Sequence, residues 1–323
     1  MKKFLAIILS VMMIFSLALV GCGEDEDPSA GKLVFKASDD GSYYSVSISA
    51  NYKDLETITV PSAYDGVPVK AVSTRGFAGM KNLTSITLPS SITEIKTNAF
   101  LGCTALESVV ASGVTKLGKS AFGGCSKLTS VELGAITEIA DECFKGCTSL
   151  TIFAVPSGVT AIGKYAFSGC TKLNNITLPT SLTEIDNYAF EKCASLTQVA
   201  FPTEKSLRIG DYAFTYSGLT SVKIPANVTL GTYTFDHLAW DDQEQVSKCT
   251  AVYFYNEAPT SATLGVNSIG YTWDAPDFRV FVPNGTIDAY TQICQDMSDD
   301  AWRRCVLADN KMLEFNPTEN PYA

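Results

Sequence analysis

Histidine is nearly absent from this sequence: the 323 residues include only His237. A triad that needs an imidazole base is therefore conceivable at one position alone, and there an ordinary loop residue is the simpler reading. No glycine-rich phosphate loop, H-E-x-x-H or C-x-x-C spacing occurs, so the chemistries that depend on those motifs have no foothold. Positive charge is also scarce, with 24 Lys and Arg against 34 Asp and Glu for a net charge of −10. That balance argues against nucleic acid or anionic lipid as a partner. The carboxylates are scattered, and nothing in their spacing pairs them for acid–base work. With neither a nucleophile–base pair nor a metal constellation, no catalytic residue, metal or cofactor is expected, and a binding role is.

What is present begins with an export leader. Met1-Lys2-Lys3 precedes an uncharged apolar run from Phe4 to Val20, which is short and is followed at once by an acidic segment, so residues 1–21 are set apart from the fold. The run ends in Leu19-Val20-Gly21-Cys22, which resembles the lipobox of bacterial lipoproteins. That resemblance implies that the chain is cut before Cys22 and that the Cys22 thiol is acylated, giving a membrane contact through a lipid anchor only. Residues 22–32 are charged and poor in apolar side chains, the composition of a flexible acidic tether. The acidic run also resembles the signal that sends lipoproteins to the outer face of some two-membraned bacteria, and a solvated spacer is the plainer alternative. Loss of residues 1–21 removes two lysines and no acid, so the charge goes from 24 − 34 = −10 to 22 − 34 = −12.

Internal repeats organise the rest. Phenylalanine recurs at positions 77, 100, 122, 144, 167, 190, 214 and 235. Most copies lie in motifs such as NAFLGC (98–103), SAFGGC (120–125), ECFKGC (142–147), YAFSGC (165–170) and YAFEKC (188–193). An L-x-x-I-x-L motif recurs with the same period, as in Leu83/Ile86/Leu88 and Leu173/Ile176/Leu178, and Leu196/Val199/Phe201 fits it too. A short V-T-x-I element follows, as in Ile92/Ile95 and Val159/Ile162. Alternation in the first motif predicts a half-buried strand. One coil cannot cover its own apolar side, so neighbours must stack with like strands about 4.7–4.9 Å apart in a parallel sheet. Prolines at 61, 89, 156, 179, 202 and 225 remove an N–H and end the strand at a fixed place. The coil at 196–214 is longer by Thr203-Glu204-Lys205-Ser206, which puts its local geometry in question.

L-x-x-I-x-L-P, V-T-x-I and A-F-x-x-C in succession, over roughly residues 43–240, resemble the BspA-like leucine-rich-repeat family of bacterial surface proteins. The resemblance implies a mainly β, curved solenoid of about eight or nine coils of 22–24 residues with parallel strands. It also implies adhesion to host or partner proteins, and it brings no catalytic residues. The expected organisation is an N-terminal cap at 33–54, a solenoid at 55–248 and a C-terminal cap at 249–323. A hairpin about Asp39-Asp40-Gly41-Ser42 opens the first cap, and a helix bearing Ile287, Tyr290, Cys294 and Met297 on one face belongs to the last.

Two sets of side chains are singled out by their columns. Cys103, Cys125, Cys147, Cys170 and Cys193 each follow a Phe by three residues and read as a buried, reduced ladder. Metal binding would need ligands converging on one point, and a column spreads them out. Cys294 and Cys305 lie outside the repeats and are the candidate disulfide. Tyr165, Tyr188, Tyr212 and Tyr233 each precede a Phe by two residues and form a strip, whereas earlier coils carry Arg75, Asn98, Ser120 and Glu142 there. Tyrosine rings offer flat faces and a hydroxyl, so the strip is the candidate ligand-binding surface, with simple packing between coils as the competing reading. The outward strand positions are bland by comparison. The expected partner is a protein on host or neighbouring cells, and the alternative is a glycan.

Overall fold

The computed structural model describes residues 31–244, 246–265, 267–269, 278–296 and 312–315. Each repeat makes one turn of a three-sided coil. On the first side run the L-x-x-I-x-L strands. Thr57–Thr59, Ser85–Thr87, Ser108–Ala111 and Ser130–Leu133 form a parallel sheet with Ile58, Ile86, Val109 and Val131 in register. Ile152–Ala154 pairs with Asn175–Thr177, and Ser221–Ile224 pairs with Ala251–Phe254, which continues into Arg279–Pro283 and Met312–Phe315. Inward residues such as Ile86 and Val109 are buried while Thr87 and Val110 between them are exposed, the period-2 outcome of a pleated strand with one wet face.

The second side carries the V-T-x-I elements in two parallel runs. Tyr44–Ile48, Val67–Val72, Glu94–Ile95 and Lys116–Leu117 make one. Glu138–Ile139, Ala161–Ile162, Glu184–Ile185, Leu207–Ile209 and Val228–Leu230 make the other.

The strand expected at Leu196/Val199/Phe201 does not form: residues 197–203 carry no strand, and neither Asn175–Thr177 nor Ser221–Ile224 pairs with them. Thr203–Ser206 add slack to this coil. Phe201, bulkier than the Ile, Val or Leu of most coils, turns its ring against Phe214 and Phe235 at 5.7 and 6.4 Å. Leu196 and Phe201 stay buried, so the coil keeps its core contribution and loses its ladder.

The third side is the Phe turn, and it is continuous. From Arg75 to Tyr216 three backbone hydrogen bonds join each turn to the next: Asn98 N to Lys119 O (2.8 Å), Phe100 N to Ala121 O (2.8 Å) and Gly102 N to Gly123 O (2.7 Å) are one set. The eight Phe rings stack behind this ladder at 5.0–5.5 Å between centroids, all of them fully buried. In the four turns that carry Gly118, Gly163, Gly210 and Gly231 four residues before the Phe, close stacking leaves no room for a Cβ. At Gly163 an added methyl would meet Asp141 N at 2.7 Å, and at Gly231 it would meet Asp211 N at 2.6 Å.

A hairpin precedes the array and a helix follows it. Leu33–Ala37 pairs antiparallel with Tyr44–Ile48, and Asp40 Oδ1 accepts hydrogen bonds from Ser38 Oγ, Ser42 N and Ser42 Oγ across the turn. Those donors hold the Asp40 carboxyl down at about 2. At the far end the helix Ile287–Asp296 buries Tyr290 completely and donates the Tyr290 hydroxyl to the Asn256 carbonyl at 2.8 Å.

Candidate ligand-binding surface

Position two before each Phe has a left-handed backbone throughout: Arg75, Asn98, Ser120, Glu142, Tyr165, Tyr188, Tyr212 and Tyr233 all have φ between +52° and +60°. A side chain held there costs on the order of 1 kcal/mol, and the ladder and the ring stack offset it. The four tyrosines do form one strip. Tyr165–Tyr188, Tyr188–Tyr212 and Tyr212–Tyr233 stack at 4.7, 5.0 and 5.1 Å with interplanar angles of 4–16°. Lys145 Nζ lies 4.6 Å from the Tyr165 ring centre and Lys164 Nζ 5.5 Å from it. At the other end Asn267 Nδ2 donates to the Tyr233 hydroxyl at 3.2 Å.

The stacking alters what the strip offers. Neighbouring ring faces lie against one another, and at Tyr165 Lys145 and Lys164 lie over the ring, so the strip has few open ring faces. Partial burial raises the Tyr188 and Tyr212 hydroxyl pKa values, helped by the neighbouring tyrosines and by Glu191 and Asp236. Both phenols are therefore neutral at physiological pH. The earlier coils present ions in the same column: Lys119 Nζ is 3.1 Å from Glu142 Oε1, and Ser120 Oγ donates to Glu142 Oε2 at 3.1 Å.

A second column, two residues after each Phe, escaped the sequence reading. It is also left-handed, and it holds Gly79, Gly102, Gly124, Gly146 and Gly169 before changing to Lys192, Tyr216 and His237. Tyr216 is 39% exposed and stacks on His237 at 4.6 Å, and Trp240 meets His237 edge-on at 4.5 Å. His237 Nδ1 is 2.7 Å from Asp236 Oδ2. The only histidine is thus part of an aromatic cluster. Its signal in the sequence was the loss of glycine from a column that had kept it for five turns.

The five column cysteines are free thiols, fully buried. Each thiol donates to the Phe carbonyl of the preceding coil, from Cys103 Sγ to Phe77 O at 3.0 Å through Cys193 Sγ to Phe167 O at 3.3 Å. Burial pushes Cys103 up to about 11 and Cys170 up to about 12, which removes the thiolate needed for reaction or metal ligation. Among the described residues no group of three or more His, Cys, Asp or Glu could hold a metal. Cys22 and Cys305 lie outside the described residues, and of Cys294 only its place in the last helix is described. Elsewhere, a cavity of about 630 Å³ opens where the strand at 197–201 is missing, lined in part by Asn175, Gln198, Ser221 and Lys223.

A repeat that stacks on its neighbours and displays side chains in columns defines a solenoid scaffold. The sequence profile of the BspA type leucine rich repeat region matches in six copies over residues 49–136 and 137–252, and the chain belongs to that family. Among solved structures it is similar to a leucine rich cell surface protein of Faecalibacterium prausnitzii, at 26% identity and a TM-score of 0.56, covering 78% of this chain and 74% of that one. A leucine-rich repeat protein of Eubacterium ventriosum is 28% identical with a TM-score of 0.47, over 58% of this chain and 50% of that one. The leucine rich repeat protein of T. pallidum is 22% identical with a TM-score of 0.43, over 83% and 96%. No curated protein matches the chain.

Proposed function

We propose that this protein is exported, is held at the cell surface by a lipid on Cys22, and recognises a protein partner through the exposed ridge of its Phe turns. The leader and the Leu19-Val20-Gly21-Cys22 box support export and anchoring, and kinship with a cell surface protein supports the location. The observation that favours protein over glycan is the stacking of Tyr165, Tyr188, Tyr212 and Tyr233 on one another. Sugar rings pack on open aromatic faces, whereas hydroxyls, ring edges and interspersed charge suit a protein contact.

Labelling with a palmitate analogue tests the anchor: Cys22→Ala should lose both the label and membrane retention, and a variant that keeps both removes the anchor from the proposal. For recognition, the purified chain is tested against purified matrix and surface proteins beside a glycan array. Saturable protein binding that falls at least about tenfold when Tyr165, Tyr188 and Tyr212 are all changed to serine supports the reading. Ser120 already stands in that column with the same backbone, so the triple variant retains a residue type the turn accepts. Binding to glycans alone replaces the protein reading with the carbohydrate one.

A further inference from the structure

The Phe-turn ridge carries a charge pattern that is the inverse of itself read backwards. Each turn spans four residues before the Phe to three after it. The first three turns hold one net positive charge each, from Arg75, Lys96 and Lys119. The fourth is net negative, with Asp141 and Glu142 against Lys145, and the fifth is net positive through Lys164. The last three are net negative by formal count: Asp186 and Glu191 against Lys192, then Asp211, then Asp236, whose carboxylate is buried beside His237. The sequence of signs is plus, plus, plus, minus, plus, minus, minus, minus. Laid antiparallel on a copy of itself, every turn meets one of opposite sign.

Relief follows the same inversion. In that alignment Tyr216 faces Gly102, Lys192 faces Gly124 and His237 faces Gly79, so each side chain of that column stands opposite a turn whose matching position has none. In the other column Tyr233 falls opposite Arg75, Tyr212 opposite Asn98, Tyr188 opposite Ser120 and Tyr165 opposite Glu142, pairing each ring with a polar or charged group. A patch that complements itself about a twofold axis is the requirement for an isologous dimer. Seven stacking steps make the ridge roughly 40 Å long, so a strip about 15 Å wide gives roughly 1,200 Å² buried by two copies, the lower end of specific interfaces.

We propose that the partner of this ridge is a second copy of the chain, docked antiparallel about a twofold axis between the turns of Phe144 and Phe167. The proposal rests on the ridge being a protein-docking surface, and it names the protein.

The test is the oligomeric state of the purified chain, made with Cys22→Ala so that no lipid is attached, by sedimentation velocity over a concentration series. The expected result is a dimer that weakens with added salt and weakens about tenfold or more in Lys192→Gly plus Tyr216→Gly, which place in two turns the glycine that five others carry. Two charge sets sharpen it. Arg75→Glu with Lys119→Asp, and Asp211→Lys with Glu191→Lys, each introduce residues already found at the equivalent positions of other turns, namely Glu142, Asp141, Lys164 and Lys145. Either set alone should be monomeric, because both halves of its ridge then carry the same net sign and half of the turn pairs meet like charge. An equimolar mixture should form the heterodimer in preference to either homodimer, since six of its eight turn pairs then carry opposite signs against four of eight in a set paired with itself. A wild-type chain that stays monomeric at high concentration, a dimer that survives either charge set, or monomeric sets that fail to pair on mixing overturns the second-copy proposal. A monomeric chain that still binds a different protein through the tyrosines leaves the broader protein-binding reading standing.

Discussion

The four turns from Phe77 to Phe144 and the four from Phe167 to Phe235 are alike inside and unlike outside. Every Phe is fully buried in both halves and the backbone ladder crosses between them without a gap. Outward, the first half shows Arg75, Asn98, Ser120 and Glu142 beside a smooth line of glycines, and the second shows four stacked tyrosines beside Lys192, Tyr216 and His237. In a stacked array each buried position is constrained by the coils on either side, whereas an exposed position answers to solvent and partners alone. The halves therefore diverge where stacking leaves them free.

The comparison is broken first by the core. Phe100→Ala in one half and Phe190→Ala in the other should each cost about 3–5 kcal/mol in denaturant unfolding. A clearly smaller loss in one half would mean that the shared core is not equally packed. Next come the glycines ahead of the turn. Gly118→Ala would drive its methyl into the Thr97 backbone, and Gly210→Ala would drive it into Asn187. Each should destabilise by about 1–3 kcal/mol in the same measurement, and a neutral result would show that the coils can spread.

The third test separates the halves. Lys192→Gly should raise stability by up to about 1 kcal/mol by relieving a left-handed lysine, while Gly146→Ala in the first half should lower it by a similar amount. Thermal melting of both variants decides whether the second half gives up stability to display side chains. The smallest effect per group is the pH dependence of the thiol column. Burial raises Cys103 from 9.0 to about 11 and Cys170 from 9.0 to about 12. Above pH 9 the unfolded chain therefore loses protons that the folded chain keeps, and stability falls as pH rises through about 9 to 12. At pH 9 half of each unfolded thiol is ionised, a loss of about 0.4 kcal/mol per thiol. Melting curves from pH 7 to 10 check the sign, and Cys170→Ala should flatten the slope.

Much of this was legible in the residues, because a fixed period decides which side chains share a column before any contact is known. The Phe spacing gave away the core, the Cys spacing the thiol column, and the positions of Tyr165, Tyr188, Tyr212 and Tyr233 the strip. The L-x-x-I-x-L alternation predicted strands, yet it overpredicted at Leu196/Val199/Phe201. There an insertion and a large ring acted on a ladder only a few residues long, and a local pattern cannot weigh slack against pairing.

By itself, then, the sequence determined the solenoid, its columns and the alternation of buried and exposed positions, all of which follow from period and apolar burial. Only the tertiary structure decided how the tyrosine rings lie against one another, that His237 stacks on Tyr216 beside Asp236, and where the strand rows break. Those outcomes depend on ring orientation and on hydrogen bonds between coils more than twenty residues apart, which are set when the coils stack and are encoded in no single repeat.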